Sequence, residues 1–395
     1  AMSLLDKYLE TSFLFGQFTW EFISLETLLW MLGAVIIGIL FGTLPGLSAT
    51  IGIALFAGIT YGWPLQLALV VLLGVYVGAI YGGSVSAILL NIPGTGSAAA
   101  TCLDGHPLAM SGQASTANTL ARTSSLIGTL FGLVIFLFFT PLMTRIALEF
   151  TSPEFFWLAV FGILICGSLA NPEYPLKGWI AGLFGVLLAL VGLDNLHGAE
   201  RLTFGIDGLL SGLPFVPMTI AFFGIPQIVK SMQETQPEVV QAKSLRATPL
   251  LPVLKRNLRN ILKWGGIGTA IGAIPGVGEN IAAWVAYDDA KRNHPHPEKF
   301  GTGVYEGVMA PETANNAAIG GSIIPLVSLG IPGSPPTAML LAALMMHGIR
   351  PGPMLEQDHP EIIPQLGAIL LWATLFLFIC GLLMTPAMVA LLKIR

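Results

Sequence analysis

Two short segments combine helix-breaking residues with small hydroxyl side chains, and they are the strongest candidates for binding a ligand. Residues 91–97 read NIPGTGS and residues 330–337 read GIPGSPPT. Proline removes a backbone donor and glycine permits non-helical angles, so a helix cannot run regularly through either segment. Exposed N–H groups at a new helix start suit carboxylates, and freed carbonyls suit Na⁺. The alternative is a kink needed only for close helix packing.

Two Pro-Gly pairs precede these breaks in the chain and carry polar groups of their own. Residues 45–50 read PGLSAT and residues 275–280 read PGVGEN. We expect each Pro-Gly tip to meet a break near the middle of a membrane, where irregular backbone survives only in a protein-lined site. The first break, richer in hydroxyls, is the better candidate for substrate. The substrate-binding candidates are Pro45, Gly46, Ser48, Asn91, Pro93, Gly94, Thr95, Ser97, Gly276, Asn280, Pro332, Gly333, Ser334 and Thr337.

Acidic and amide side chains inside apolar stretches are candidates for holding a coupling cation. Glu312 and Asn316 are one turn apart and therefore share a helix face. A carboxylate inside a membrane helix is costly and is a functional candidate by default, although Glu312 could equally serve in structural hydrogen bonding. With the polar residues of the tips, the coupling-ion candidates are Thr50, Glu279, Glu312 and Asn316. Na⁺ is possible as the ion, with ligands that the sequence does not specify.

Other polar residues have simpler interpretations. Asp104 and His106 could line a vestibule, but capping a helix is the better interpretation, and Glu306 fits a membrane interface. His294 and His296 lie in a Pro-containing loop that does not favour a metal site. The three cysteines are dispersed and fit neither a metal nor a disulfide spacing.

The composition indicates the elements that must position these residues. The chain has 395 residues, 54% hydrophobic and only 10% charged, which is typical of a polytopic membrane protein and not of a soluble domain. Several apolar runs reach the about 20 residues that cross a bilayer. The predicted fold is therefore an all-α polytopic membrane protein.

The order of the landmarks predicts an internal repeat. Pro45-Gly46, the GGS triplet at 82–84 and IPG at 92–94 recur as Pro275-Gly276, GGS at 320–322 and IPG at 331–333. No Lys or Arg lies between Lys7 and Arg122, whereas basic residues flank the second Pro-Gly on both sides. By the positive-inside rule the second segment enters and leaves on the cytoplasmic side, so the repeat is inverted, with two re-entrant hairpins and two broken helices.

This pattern divides the chain into four parts. Residues 1–24 form an interfacial lead-in, 25–229 the first repeat with scaffold helices, 230–260 a cytoplasmic linker, and 261–395 the second repeat. Residues 25–44 are long enough to span the membrane outright, which is the weak point of the first hairpin.

Several motifs resemble one transporter family. Residues 81–84 (YGGS), 91–95 (NIPGT), 104–107 (DGHP), 330–333 (GIPG) and 347–353 (HGIRPGP) look like the signatures of the TctA-type large membrane subunit of tripartite tricarboxylate transporters. The resemblance implies an elevator-type secondary transporter in a bacterial inner membrane that imports organic carboxylates such as citrate, coupled to Na⁺ or H⁺ and needing no other cofactor. It also implies a small four-helix membrane subunit (TctB-like) and a periplasmic substrate-binding protein (TctC-like) as partners, and further helices beyond Arg395.

Two other functions are compatible with parts of the sequence. An intramembrane enzyme would have to use Glu312 or the pair Asp104 and His106, but no nucleophile, base and orienting group stand at useful spacing, so we expect no catalytic residues. An ion or anion channel would require the breaks to face a continuous pore.

Overall fold

Apolar runs bounded by Gly, Pro and small polar residues form helices along most of the chain. The computed structural model describes residues 4–44, 46–170, 174–194, 199–213, 218, 221, 222, 229 and 250–391. The helices before residue 213 are α1 (Leu4–Glu21), α2 (Leu25–Thr43), α3 (Ala49–Ile59), α4 (Leu65–Leu90), α5 (Ala99–Leu108), α6 (Ala114–Leu148), α7 (Ser152–Ala170) and α8 (Pro175–Ala189). Those after residue 250 are α9 (Leu250–Gly272), α10 (Gly278–Arg292), α11 (Tyr305–Leu329), α12 (Pro335–Met346), α13 (Leu355–Asp358) and α14 (Ile362–Leu391).

Short elements join some of the helices. A 3₁₀ turn at Gly96–Ala98 leads into α5, a π turn at Ala109–Gln113 joins α5 to α6, and 3₁₀ turns occur at Asp207–Leu209 and Pro297–Lys299. β1 (Gly192–Leu193) and β2 (Glu200–Arg201) form a two-residue antiparallel ladder, with Gly192 opposite Arg201.

Four segments of the described chain are long and apolar enough to cross a membrane: Leu25–Thr43, Leu65–Leu90, Gly96–Leu148 and Ile362–Met384. Exposed large apolar side chains cover α7 and α8, as expected for helices in contact with lipid. The protein is an all-α membrane protein, as the composition predicted.

Small polar residues begin the helices that follow the irregular segments. The Ser48 side chain accepts a hydrogen bond from the Ile51 amide and caps α3. Ser334 and Thr337 form a capping box at the start of α12. α4 ends at Asn91 and α11 at Gly330, both in the left-handed region (φ 59° and 71°) that terminates helices.

Two pairs of helices are in unusually close contact through glycine. α2 lies against α4 so tightly that a Cβ atom at Gly42 would be 2.0 Å from the Ala79 carbonyl oxygen. α9 lies against α11 in the same way, since a Cβ atom at Gly272 would be 2.6 Å from the Ala318 carbonyl oxygen. Gly38 and Gly268 make the corresponding contacts one turn earlier. The two helices that precede the Pro-Gly pairs, α2 and α9, are therefore held against the two long helices by contacts of one kind.

The two parts of the chain also pack across one another. α12 packs on α3, while α10 packs on the Gly96–Ala98 turn and on α5. α6 lies against α11, with Gly128 and Gly132 facing the carbonyls of Thr313 and Ala317. α14 covers α4 and α6 and also contacts α1. The core of the protein is formed by α4 and α11, whose residues are almost all buried.

Some expectations fall at the edges of the described chain. Pro45 and residues 230–249 of the expected linker lie outside the described residues. Residues 250–260 of that linker are helical and form the first turns of α9. Their charges occupy one side of the helix while Leu250, Val253 and Leu254 pack on the core, so a stretch that reads as hydrophilic is amphipathic.

Candidate functional site

The second Pro-Gly tip lies directly on the second break. The Gly276 amide donates to the Pro332 carbonyl at 3.3 Å, and a Cβ atom at Gly278 would lie 2.7 Å from the Ser334 Cβ. The chain after Gly330 folds back along α11, since the Gly333 amide donates to the Ser322 carbonyl at 3.3 Å. The first turns of α10 and α12 are therefore neighbours.

The first break folds back along α4 in the same manner. The Gly94 amide donates to the Gly83 carbonyl at 3.4 Å, and a Cβ atom at Gly94 would lie 1.8 Å from the Gly42 carbonyl oxygen. Only glycine fits at position 94, between α2 and α4. The Thr95 hydroxyl lies 3.0 Å from that of Ser97, and both are buried, while Pro93 is exposed.

The first break and the second tip meet at Gly96 and Asn280. A Cβ atom at Gly96 would lie 2.9 Å from the Asn280 amide nitrogen, and both residues are exposed. The buried Ser97 hydroxyl and the N-terminal turns that lead into α5 and α10 are adjacent. Helix N-termini carry unpaired N–H groups and partial positive charge. This accessible junction suits an anion.

A buried carboxylate lies directly behind the junction. Glu279 is 2% exposed and accepts a hydrogen bond from the Tyr76 hydroxyl. That hydroxyl is also 3.2 Å from the Ser322 hydroxyl and 3.2 Å from the Ser334 hydroxyl. α4, α10, α11 and the second break thus each supply one oxygen to a single cluster.

Glu312 belongs to a separate buried cluster. Its carboxylate accepts from Thr101 at 2.5 Å and from Ser125 at 3.2 Å. The Asn316 amide donates to the Glu312 backbone carbonyl at 3.0 Å and to the Ser125 hydroxyl at 2.9 Å, so the shared helix face was predicted correctly. The cluster joins α5, α6 and α11.

Asp104 lies within α5 and binds the loop that leads into α11, instead of capping a helix as its sequence context favoured. Its Oδ1 accepts from the amides of Gly301, Gly303 and Val304 at 3.0, 2.8 and 2.8 Å. Its Oδ2 accepts from the Tyr287 hydroxyl at 2.8 Å. One carboxylate of α5 therefore fixes both the start of α11 and the middle of α10.

The open end of the α9–α10 hairpin is closed by polar contacts. Lys263 donates to Asp289 at 2.6 Å and the Trp264 indole donates to the same carboxylate at 3.2 Å. Asp289 therefore bridges the two arms of the hairpin. Glu306 is buried and accepts from Asn257 at 3.0 Å and from Arg256 at 3.4 Å. Within the described chain, no group of three or more His, Cys, Asp or Glu side chains could hold a metal ion.

Besides Glu312 and Asn316, four candidates in the described chain stand apart from this junction. Ser48 caps α3, Thr50 is buried within the same helix, and Asn91 is exposed where it ends α4. Gly46, with φ 94°, forms the first tip, which faces α12 through α3.

Sequence reasoning missed the hydroxyl partners of the two carboxylates. Tyr76 reads as one more aromatic residue in a membrane helix, and Thr101 and Ser125 as small polar residues. One signal was available for Tyr76: it lies seven residues before Gly83, and two helical turns place both on the face that meets the breaks.

The comparisons with known proteins agree with this architecture. The model of the tripartite tricarboxylate transporter TctA family matches residues 28–395. An uncharacterized 52.8 kDa protein in the TAR-I ttuC' 3' region of Agrobacterium vitis is 36% identical over 339 residues, 85% of this chain and 67% of that protein. An uncharacterized protein in the TAR-II ttuC' 3' region of the same organism is 41% identical over 95 residues, 24% of this chain and 39% of that protein. No solved structure matches the chain. The chain therefore belongs to the tripartite tricarboxylate transporter TctA family.

Proposed function

We propose that this chain is the large transmembrane subunit of a secondary transporter that imports organic di- and tricarboxylates across a bacterial inner membrane. Its partners are a small four-helix membrane subunit and a periplasmic binding protein that delivers the substrate. The observation that carries the proposal is the accessible junction of Gly96 and Asn280, where the turns that lead into α5 and α10 meet in an all-α membrane protein.

The junction offers donors that a carboxylate needs. The described part of the junction contains no basic side chain, so a bound carboxylate would take hydrogen bonds from backbone amides and from the side chains of Asn280, Thr95 and Ser97. The dipoles of the helices that start here favour negative charge, with each worth about 0.3–1 kcal/mol and more when water is excluded. These contacts recognise a carboxylate group, whatever the rest of the substrate is.

The two parts of the chain act as an inverted repeat in this proposal. The contact of Gly42 with Ala79 recurs as the contact of Gly272 with Ala318. The amide bond from Gly94 to Gly83 recurs as the bond from Gly333 to Ser322, which aligns Gly83 with Ser322, one residue away from the match of the two GGS triplets. The contacts support hairpins of one design, and the basic residues of α9 and α10 favour the cytoplasm for their open end.

Transport then follows an elevator-like mechanism in which the hairpins and the long helices move as a body. The close α2–α4 and α9–α11 contacts support a rigid moving unit. Glu279 is the better site for the coupling ion, because its cluster adjoins the junction and joins a tip to a break. A buried carboxylate without a cation is costly, so H⁺ or Na⁺ would complete it.

Uptake in proteoliposomes tests the function. The full complex is reconstituted with the binding protein, and uptake of radiolabelled citrate and succinate is measured with a Na⁺ gradient, with a proton gradient and with neither. We expect gradient-driven accumulation. Flux that equilibrates without any gradient would support a channel instead, and chemical conversion of the acid with no uptake would support an enzyme.

Alanine variants test the hydroxyl and amide contacts. Thr95→Ala and Asn280→Ala should lower uptake without loss of folded protein, and Ser48→Ala reports on the first tip. Thr302→Ala is the control, since its hydroxyl only donates to the Lys299 carbonyl in a surface loop. Unchanged uptake in all three site variants would remove the proposed contacts.

A further inference from the structure

A buried basic residue lies outside the junction, and its charge has no acidic partner in the described part of the chain. Arg122 in α6 is only 5% exposed. One guanidinium nitrogen, Nη1, donates to the Gly381 carbonyl of α14 at 3.3 Å, and the guanidinium carbon lies 5.2 Å from the centre of the Phe378 ring. Among the described residues no carboxylate pairs with it, and its Nε is buried without a hydrogen-bond partner.

A second orphan donor lies beside it. Tyr81 in α4 is fully buried, and its hydroxyl has no hydrogen-bond partner within the residues that the structure describes. The two side chains are neighbours, because a Cβ atom at Gly381 would lie 2.9 Å from the Tyr81 hydroxyl and 3.0 Å from the Arg122 Cδ. Two unmet donors, one of them charged, thus share one place between α4, α6 and α14.

The cost of this arrangement indicates that a partner is missing. A buried donor without a partner costs about 1–3 kcal/mol, and a charge inside a membrane costs more. Glu312 is the nearest internal candidate, since Ser125 lies one turn from Arg122 on α6. The Glu312 carboxylate, however, is already held by Thr101 and Ser125.

We propose that Arg122 and Tyr81 form a carboxylate-binding site that receives a carboxyl group of the transported acid. The inference rests on the proposed function and adds a second contact to the one at the Gly96–Asn280 junction. The carboxylate would accept from the Arg122 Nε–H and from the Tyr81 O–H, while the Gly381 carbonyl and the Phe378 ring hold the guanidinium in place. α14 covers the site and must shift for the acid to enter.

The site explains how the protein would distinguish acids by their number of carboxylates. The helix N-termini at the junction satisfy one carboxylate of any acid. Only an acid with a second carboxylate can also neutralise Arg122. The pair Arg122 and Tyr81 should therefore set the preference for di- and tricarboxylates over monocarboxylates.

The test measures ligand-induced shifts of the thermal unfolding midpoint on the full chain in detergent. The probes are citrate, succinate and succinamate, the monoamide of succinate. The variants are Arg122→Gln, Arg122→Lys and Tyr81→Phe, and the controls are Arg145→Gln on the exposed last turn of α6 and Tyr61→Phe, which is 65% exposed. Wild type and controls should bind succinate more tightly than succinamate.

Tyr81→Phe is the decisive variant, because the hydroxyl it removes has no hydrogen-bond partner among the described residues. It should fold at least as well as wild type and yet bind succinate several-fold more weakly. Arg122→Gln should weaken succinate binding about ten- to hundredfold and abolish the preference over succinamate, with Arg122→Lys between the two.

Three results would overturn the site. The first is wild-type affinity for succinate in Tyr81→Phe and Arg122→Gln. The second is full restoration of Arg122→Gln by Glu312→Gln, which would make Glu312 the partner of Arg122. The third is the absence of any shift of the wild type with citrate and succinate. The uptake experiment on the wild-type complex judges the transport function separately.

Discussion

The hydroxyl of Tyr76 is the contact whose removal tests the geometry of the site most directly. Tyr76→Phe deletes one oxygen and leaves the ring in place at a position with no exposed surface. The hydroxyl donates to Glu279 and lies 3.2 Å from both Ser322 and Ser334, so its loss affects α10, α11 and the second break together.

The expected magnitude follows from the burial of the cluster. A hydrogen bond to a charged group contributes about 1.5–3 kcal/mol, and solvent cannot replace it at this depth. In the variant, the hydroxyls of Ser322 and Ser334 still lie near Glu279. The free energy lost with the Tyr76 hydrogen bond should therefore fall near the middle of that range. We expect Tyr76→Phe to lower the free energy of unfolding by about 2 kcal/mol, a roughly thirtyfold change in the folded-to-unfolded ratio.

Unfolding of the purified chain by SDS titration in mixed micelles measures this loss. Tyr61→Phe is the matched control, because Tyr61 is exposed and should change stability by less than about 0.5 kcal/mol. A double-mutant cycle with Glu279→Gln should give a coupling energy of about 0.5–3 kcal/mol. Additive effects of the two changes, or a Tyr76→Phe variant as stable as the control, would refute the cluster.

Three further changes test the fold around the junction. Asp104→Ala leaves three backbone amides without their acceptor and should cost at least about 3 kcal/mol of unfolding free energy in the same SDS titration; a loss under about 1 kcal/mol would contradict the role of these three hydrogen bonds. Gly94→Ala places a methyl group 1.8 Å from the Gly42 carbonyl oxygen and should abolish the monodisperse peak in size-exclusion chromatography, whereas Gly58→Ala, with no atom within 4 Å, should elute as wild type. Ser334→Ala removes the N-cap of α12 and should cost about 1 kcal/mol or more by SDS titration, and an unchanged midpoint would argue against the capping box.

The sequence predicted the parts of the fold that local chemistry determines. Proline and glycine at residues 92–94 and 331–333 do end α4 and α11, because no other residues so strongly disfavour a continuing helix. A hydroxyl residue directly before two prolines suggests the start of a helix, and Ser334 does begin α12. The contacts of Asp104 with the loop before α11, almost 200 residues away, did not follow from these rules.

Long-range pairing is what the sequence could not provide. Tyr76 contacts Glu279 only because α10 packs across the first break. The sequence around either residue does not indicate that contact. The pair Tyr81 and Arg122 was not predicted for the same reason. An arginine in the sequence does not indicate a binding site until the structure shows that no described carboxylate pairs with it. The alignment of the two repeats is likewise shifted by one residue, so that Gly83 corresponds to Ser322. This shift is seen in the backbone hydrogen bonds and not in the sequence identity of the two GGS triplets.

The crossed packing of the two parts of the chain has a consequence for how the protein can be assembled. α12 closes on α3, and Asp104 of α5 holds the amides that lead into α11, so each part completes the other. We expect either part synthesised alone to leave these contacts unmade. A chain cut within residues 231–249 should accordingly yield stable protein only when both fragments are made in the same membrane, which makes complementation between fragments a property of this architecture.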